Sequence, residues 1–180
     1  MASAAKAEDG KPQAGFVSLF DGKTLDGWEG QAEIWKVEDG CIVGSHQGRR
    51  NNEFLTTKKR FNDFVLKAKF HLVGGKGNSG IQFRSERIPN DPEMRGYQAD
   101  IGEGYWGALY DESRRNKVLA APKGKTLDAF NKALKKDGWN DYQVRCMGNK
   151  IELSINGVVS VDYVEKDAKI PADGLFGLQI

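Results

Sequence analysis

Apolar and polar residues alternate with period two along nearly every patterned stretch of the chain. Phe64, Leu66, Ala68, Phe70 and Leu72 interleave with Val65, Lys67, Lys69, His71 and Val73, which predicts a long strand with one apolar and one largely wet face. A helix would spread the same residues around its circumference. Ile151, Leu153 and Ile155 alternate with Glu152 and Ser154, and Asn156-Gly157 then leads into 158–163. Asn-Gly between alternating runs predicts a tight hairpin, because both turn residues must adopt positive φ. Asp39-Gly40 between 34–38 and 41–44, and Gly148-Asn149 between 142–147 and 150–155, predict two more. Further strands are expected at 16–20, 80–84, 97–101, 107–110 and 174–180. The one helical pattern runs over 128–136, with Asp128 as cap, Phe130 and Leu134 on one face and Gly138 as stop. About ten short strands without helix alternation predict an all-β, two-sheet antiparallel sandwich with one short helix.

Composition narrows the class. Glycine accounts for 22 of 180 residues, about 12% against a usual ~7%, in keeping with many turns. The net charge of +2 is too even to hold a polyanion, so nucleic acid is not an expected partner. A mean hydropathy of −0.58 without a long apolar run predicts no membrane span. Cys41 and Cys146 cannot build a disulfide framework, and both sit in alternating apolar stretches that predict buried thiols. Residues 1–14 read as a disordered leader or the remnant of a processed signal, and 15–180 as one domain. His46 and His71 are the only histidines, so chemistry here is expected to use carboxylates, arginine and tyrosine.

Several near-motifs fail on context. Gly75-Lys76-Gly77-Asn78-Ser79-Gly80 spells G-x-G-x-x-G but runs into a predicted strand, with no helix N-terminus to hold a pyrophosphate. Gly22-Lys23-Thr24 and Gly124-Lys125-Thr126 lack the first glycine of a phosphate loop. No nucleotide cofactor is expected. Residues 114–136 carry eight basic and one acidic side chain and read as an exposed loop.

Side chains two apart on a strand share a face at ~6.5–7 Å, so Gln98 with Asp100, and Gln82 with Arg84, form two polar files. The run 98–103 compares with E-x-D-x-x-E of laminarinase- and lichenase-like glycoside hydrolases, but Gln98 stands at the first glutamate. An amide cannot serve as the nucleophile of a retaining glycosidase, so double displacement is disfavoured. Asp100, Glu103 and Arg84 remain as candidate catalytic groups, with Gln82 and Gln98 as orienters. Tyr97, Trp106, Tyr110 and Asp111 complete a candidate sugar-binding set, since rings stack on sugar C–H faces while amides and carboxylates bond hydroxyls.

In order along the chain, 16–28 (FVSLFDGKTLDGW), 35–40 (WKVEDG), 54–57 (FLTT), 61–66 (FNDFVL), 78–84 (NSGIQFR), 96–98 (GYQ), 107–110 (GALY), Trp139-Asn140 and Asn156-Gly157 resemble the 3-keto-disaccharide hydrolase domain family. The resemblance implies a concanavalin A-like jelly roll, bacterial export to the periplasm or beyond, and cleavage of glycosidic bonds in small or oligomeric carbohydrates oxidised at C3. It also implies that some members act as lyases and use a divalent metal, for which Asp100 and Glu103 are the candidates. Family members usually continue past Gln179-Ile180 into a further turn and strand, so the domain is expected to be short of a final strand. A ketone at C3 acidifies the C2 proton, so a base can remove it and expel the C1 substituent. Asp100 is the expected base, Arg84 or a metal the stabiliser of the enolate oxygen, and Glu103 or Tyr97 the proton donor to the leaving oxygen. The alternatives are a non-catalytic carbohydrate-binding module and a hydrolase of unmodified glucans.

Overall fold

The computed structural model describes residues 2–6 as backbone, and 14–46, 48 and 51–180 in full. In chain order the strands are β1 (Ala2–Lys6), β2 (Trp28–Glu29), β3 (Trp35–Glu38), β4 (Cys41–Ser45), β5 (Phe54–Thr57), β6 (Phe64–Leu72), β7 (Asn78–Arg87), β8 (Met94–Gly102), β9 (Leu109–Glu112), β10 (Lys117–Ala120), β11 (Asn140–Met147), β12 (Lys150–Ile155), β13 (Val158–Val164) and β14 (Leu175–Gln179), with helix α1 (Lys125–Ala133) between β10 and β11. They form two antiparallel sheets of seven, ordered β13-β12-β11-β6-β1-β4-β3 and β10-β9-β8-β7-β14-β5-β2. This is an all-β jelly-roll sandwich.

The period-two pattern decides what lies between the sheets. Phe64, Leu66, Ala68, Phe70 and Leu72 of β6 pack with Tyr142, Val144 and Cys146 of β11 and with Ile151, Leu153 and Ile155 of β12. They meet Ile81 and Phe83 of β7, Tyr97, Ala99 and Ile101 of β8, and Phe176 and Leu178 of β14. A second cluster of Ile34, Trp35, Ile42, Leu55 and Ile180 closes the other end. Because alternate residues point to opposite faces, Gln82, Gln98, Asp100 and Gln179 are committed to the outward face of the second sheet.

The three hairpins form where expected. Glu38 pairs with Cys41, Met147 with Lys150 and Ile155 with Val158 across two-residue turns. Asp39 and Gly40 have φ of 48° and 71°, and Asn156 and Gly157 have 51° and 77°. The glycine-rich turn after β6 leads straight into β7, so its G-x-G-x-x-G run opens a strand, not a helix. Cys41 and Cys146 are buried on β4 and β11. With β1 and β6 between them in the sheet, they stand beyond disulfide reach.

Four elements differ from expectation. Residues 16–20 form no strand. Their side chains do the anchoring: Phe20 packs into the second cluster, and Leu19 O accepts from Trp28 Nε1 at 2.7 Å. The helix starts three residues earlier than predicted, at Lys125 after Gly124, and Asp128 lies in its first turn, where a negative charge suits the helix dipole. The basic stretch 114–136, expected as a loop, contains β10 and α1. Ala2–Lys6, assigned to a disordered leader from sequence, pairs with β4 and β6. Main-chain pairing needs no side-chain pattern, so small residues give periodicity no warning of it. The rest of that leader, 7–13, lies outside the described residues.

Candidate functional site

Antiparallel register places side chains directly opposite one another on a common face. Gly80 faces Asp100 and Gln82 faces Gln98 across β7 and β8. Gln179 and Gly177 of β14 stand opposite Gly80 and Gln82, and Tyr110 of β9 stands opposite Gln98. Gln82, Gln98, Asp100 and Tyr110 are thus brought together; of these, the spacing predicted the shared face of Gln98 and Asp100. The missing side chain of Gly80 makes the arrangement flat: a Cβ there would sit 2.7 Å from the Gln98 side chain, which lies across the glycine.

A directed chain of hydrogen bonds runs along this face. Ser85 Oγ donates to Gln82 Oε1 at 2.6 Å, Gln82 Nε2 to Gln98 Oε1 at 3.0 Å, and Gln98 Nε2 to Asp100 Oδ1 at 2.7 Å and Gln179 Oε1 at 3.2 Å. Gln82, Gln98 and Gln179 are almost fully buried. The Asp100 main chain is fixed as well, its N–H donating to Ala108 O and its carbonyl accepting from Gly107 N. Burial pushes the Asp100 carboxyl up from its ordinary 3.8 to about 7, with the Gln98 hydrogen bond opposing the rise and the Glu112 charge adding to it. A carboxylate that titrates near 7 and is held in one orientation is suited to move protons at neutral pH.

Glu112 belongs to this site although the sequence did not single it out. It stands opposite Gly96 on the same face, and burial, followed by the charge of Glu93, raises its carboxyl above the ordinary range. The signal was available in the spacing Tyr110-Asp111-Glu112, where Glu112 is two residues from Tyr110. At the rim, the exposed Tyr105 meets Tyr110 edge to face at 6.3 Å. Burial and the neighbouring Glu112 raise the Tyr110 phenol.

Five predicted site residues lie elsewhere. Arg84 should share the face of Gln82, but a bulge between Phe83 and Glu86, with Arg84 at φ 46°, breaks the alternation. Its guanidinium turns to the end of the sandwich and donates to Asn62 O, Gly148 O and Asp63 Oδ1 at 3.1, 2.7 and 3.0 Å. Tyr97 faces the core, stacked on Phe83, and its hydroxyl donates to Glu165 Oε2 at 2.6 Å. Asp111, opposite Tyr97, is fully buried and pairs with Arg114 and Arg115. Trp106 packs on Phe70 against the core, not on a binding face. Glu103 is exposed in the turn after β8. It lies beyond Gly102, whose φ is 151°, outside β8, which carries Asp100.

These residues build a structural clasp. Arg115 bonds both Asp111 and Glu165, joining β9 to the segment after β13 across the sandwich. Burial acts against the Glu165 carboxylate, yet hydrogen bonds from Arg115 and Tyr97 hold it down to about 2. Tyr97→Phe removes one charge-assisted bond from this cluster. It is expected to lower unfolding free energy by about 1–2 kcal/mol in urea titration while leaving turnover unchanged. An equal loss of turnover would return Tyr97 to the site.

For the metal implied by the resemblance, no group of three or more His, Cys, Asp or Glu side chains among the described residues could hold an ion, so Asp100 and Glu103 are not part of such a ligand set there.

Residues 15–180 match the family described as the 3-keto-alpha-glucoside-1,2-lyase-like domain. The chain belongs to that family. A 3-keto-disaccharide hydrolase of Bacteroides thetaiotaomicron is 32% identical over 85 residues, which cover 41% of this chain and 29% of that protein. The match therefore spans less than a third of that relative's length. Two solved structures share the fold: the carbohydrate-binding module CBM66 from Bacillus subtilis (TM-score 0.65, 17% identity, 86% of this chain and 87% of that one) and a candidate glycosyl hydrolase from Parabacteroides distasonis (TM-score 0.66, 20% identity, 89% and 85%). The family places the domain among carbohydrate-active, glycosidase-like proteins. No helix of the described residues is long and apolar enough to cross a membrane.

Proposed function

We propose that this domain of the 3-keto-alpha-glucoside-1,2-lyase-like family cleaves the glycosidic bond of 3-keto glycosides by elimination, with Asp100 as the base. The observation that carries this reading is the Asp100 carboxyl: held by Gln98, buried, and raised to about 7. Asp100 takes the proton from C2, and the C2–H electron pair becomes the C2=C3 bond of an enolate while the carbonyl pair moves onto the C3 oxygen. That pair then returns, C1=C2 forms, and the C1–O bond breaks with its electrons on the leaving oxygen, which gains a proton. Tyr110, beside Asp100 and with its phenol raised by burial, is the donor on this face. Such a route needs no carboxylate nucleophile, in keeping with Gln98 at the position where a retaining enzyme would have one. Tyr105 and Tyr110 present rings to the sugar.

The test is proton NMR in D2O with a 3-keto glucoside and its unoxidised parent. Expected are aglycone release and C2 deuterium uptake with the oxidised sugar, and neither with the parent. Binding of both sugars with no product and no exchange would instead make the domain a binding module. Efficient cleavage of the unoxidised glycoside would make it an ordinary glycosidase.

A further inference from the structure

With Arg84 at the end of the sandwich, the C3 oxygen loses the cation expected to stabilise it as an enolate. We propose that Gln179 fills that role: its Nε2 donates to the C3 oxygen as charge develops there. This assignment rests on the elimination proposed above.

Gln179 is 1% exposed, and its Nε2 is buried with no acceptor among the described residues. Which of its two amide atoms is the donor follows from the network. An ionised Asp100 only accepts, so Gln98 must turn Nε2 toward it. The same nitrogen donates to Gln179, which must answer with Oε1, leaving Nε2 as the unanswered donor. A buried donor without an acceptor is costly, and an oxygen delivered by the substrate removes that cost.

Placement agrees. Gln179, Gly80 and Asp100 form one row across β14, β7 and β8. Asp100 Oδ1 and Gln179 Oε1 both bond to Gln98 Nε2, at 2.7 and 3.2 Å, so they lie within about 6 Å of one another. In the substrate the proton to be removed and the oxygen to be stabilised are on adjacent carbons, a separation this spacing accommodates. Gln179 is also held firmly: its strand pairs with β5 on one side and β7 on the other, and its carbonyl accepts from Ser79 Oγ at 2.8 Å. A fixed donor shielded from water strengthens as an oxyanion forms, because it needs no reorganisation.

The experiment uses a 3-keto C-methyl glycoside, whose alkyl substituent cannot leave with the electron pair of its C1–C bond, and reads its C3 carbonyl stretch by infrared difference spectroscopy. Binding to the native protein is expected to lower the frequency relative to free ligand, and Gln179→Met to restore it. For a cleavable 3-keto glucoside, the same variant is expected to lose about 10²–10³-fold in kcat. An unshifted carbonyl on the native protein overturns the assignment without recourse to any variant, as does unchanged C2 exchange and frequency in Gln179→Met. If the native protein binds the ligand but shows no C2 exchange with any 3-keto glycoside, the elimination reading fails first.

Discussion

Asp100→Asn is expected to cut turnover of a 3-keto glucoside by about 10²–10⁴-fold, the range supplied by a positioned general base, and at the same time to stabilise the fold above neutrality. Both effects come from one cause. The carboxyl of the folded protein titrates near 7, against 3.8 ordinarily, so between those values the folded state keeps a proton that the unfolded chain has released. Stability therefore falls as pH rises from about 4 to about 7 and stays low above it. The difference of about 3 pH units corresponds to a penalty on the order of 4 kcal/mol at most. Asparagine retains the oxygen that accepts from Gln98 but carries no charge, so it escapes this penalty. Urea unfolding at pH 8 should show the variant more stable than the native protein, with the advantage gone at pH 4. For native turnover the sign is opposite: only the ionised carboxylate accepts a proton, so kcat/KM should fall about tenfold per pH unit below 7. Full activity in Asp100→Asn would remove Asp100 from the chemistry, and an equal stability difference at both pH values would refute its raised titration.

That carboxylate and its partner Gln98 were legible from spacing, because β8 keeps strict alternation from Tyr97 to Ile101 and two-residue intervals then dictate a shared face. The same rule failed for Arg84, two residues beyond Gln82, because an extra residue in β7 reverses the alternation. Nothing in Phe83-Arg84-Ser85 announces a bulge: the position with positive φ carries arginine, not glycine. Tyr97 and Asp111 failed for a different reason. Their polarity suggested an open face, whereas each is balanced inside the sandwich by Glu165 and by Arg114 and Arg115, partners far off in sequence or assigned to a loop. Gln179 was hidden in the last strand, which was predicted correctly, because its relation to Asp100 depends on strand order. β14 neighbours β7, although more than eighty residues separate them.

Arg84 is expected to matter for folding alone. Arg84→Met should lower unfolding free energy by about 2–4 kcal/mol, with kcat/KM of the folded protein unchanged within about twofold. The side chain is 3% exposed and serves two carbonyls and one carboxylate. Methionine fills part of the volume but gives up the charge-assisted hydrogen bonds of a buried guanidinium, worth about 1.5–3 kcal/mol each before water compensates; Asn62 and Gly148 are exposed residues, so water recovers part of what their carbonyls lose. Asp63 loses less: it is 47% exposed and still accepts from Gly148 N, so water replaces the guanidinium there. Lysine, a single point charge, cannot satisfy three acceptors in a fork, so Arg84→Lys should recover only part of the loss. Along the ladder Arg84 is four residues from the position opposite Asp100, on the order of 13 Å, and its side chain points to the end of the sandwich. Chemical denaturation and steady-state kinetics on the same preparations separate the two roles. A hundredfold drop in kcat/KM with unfolding free energy intact would put the guanidinium back at the enolate and take that oxygen away from Gln179.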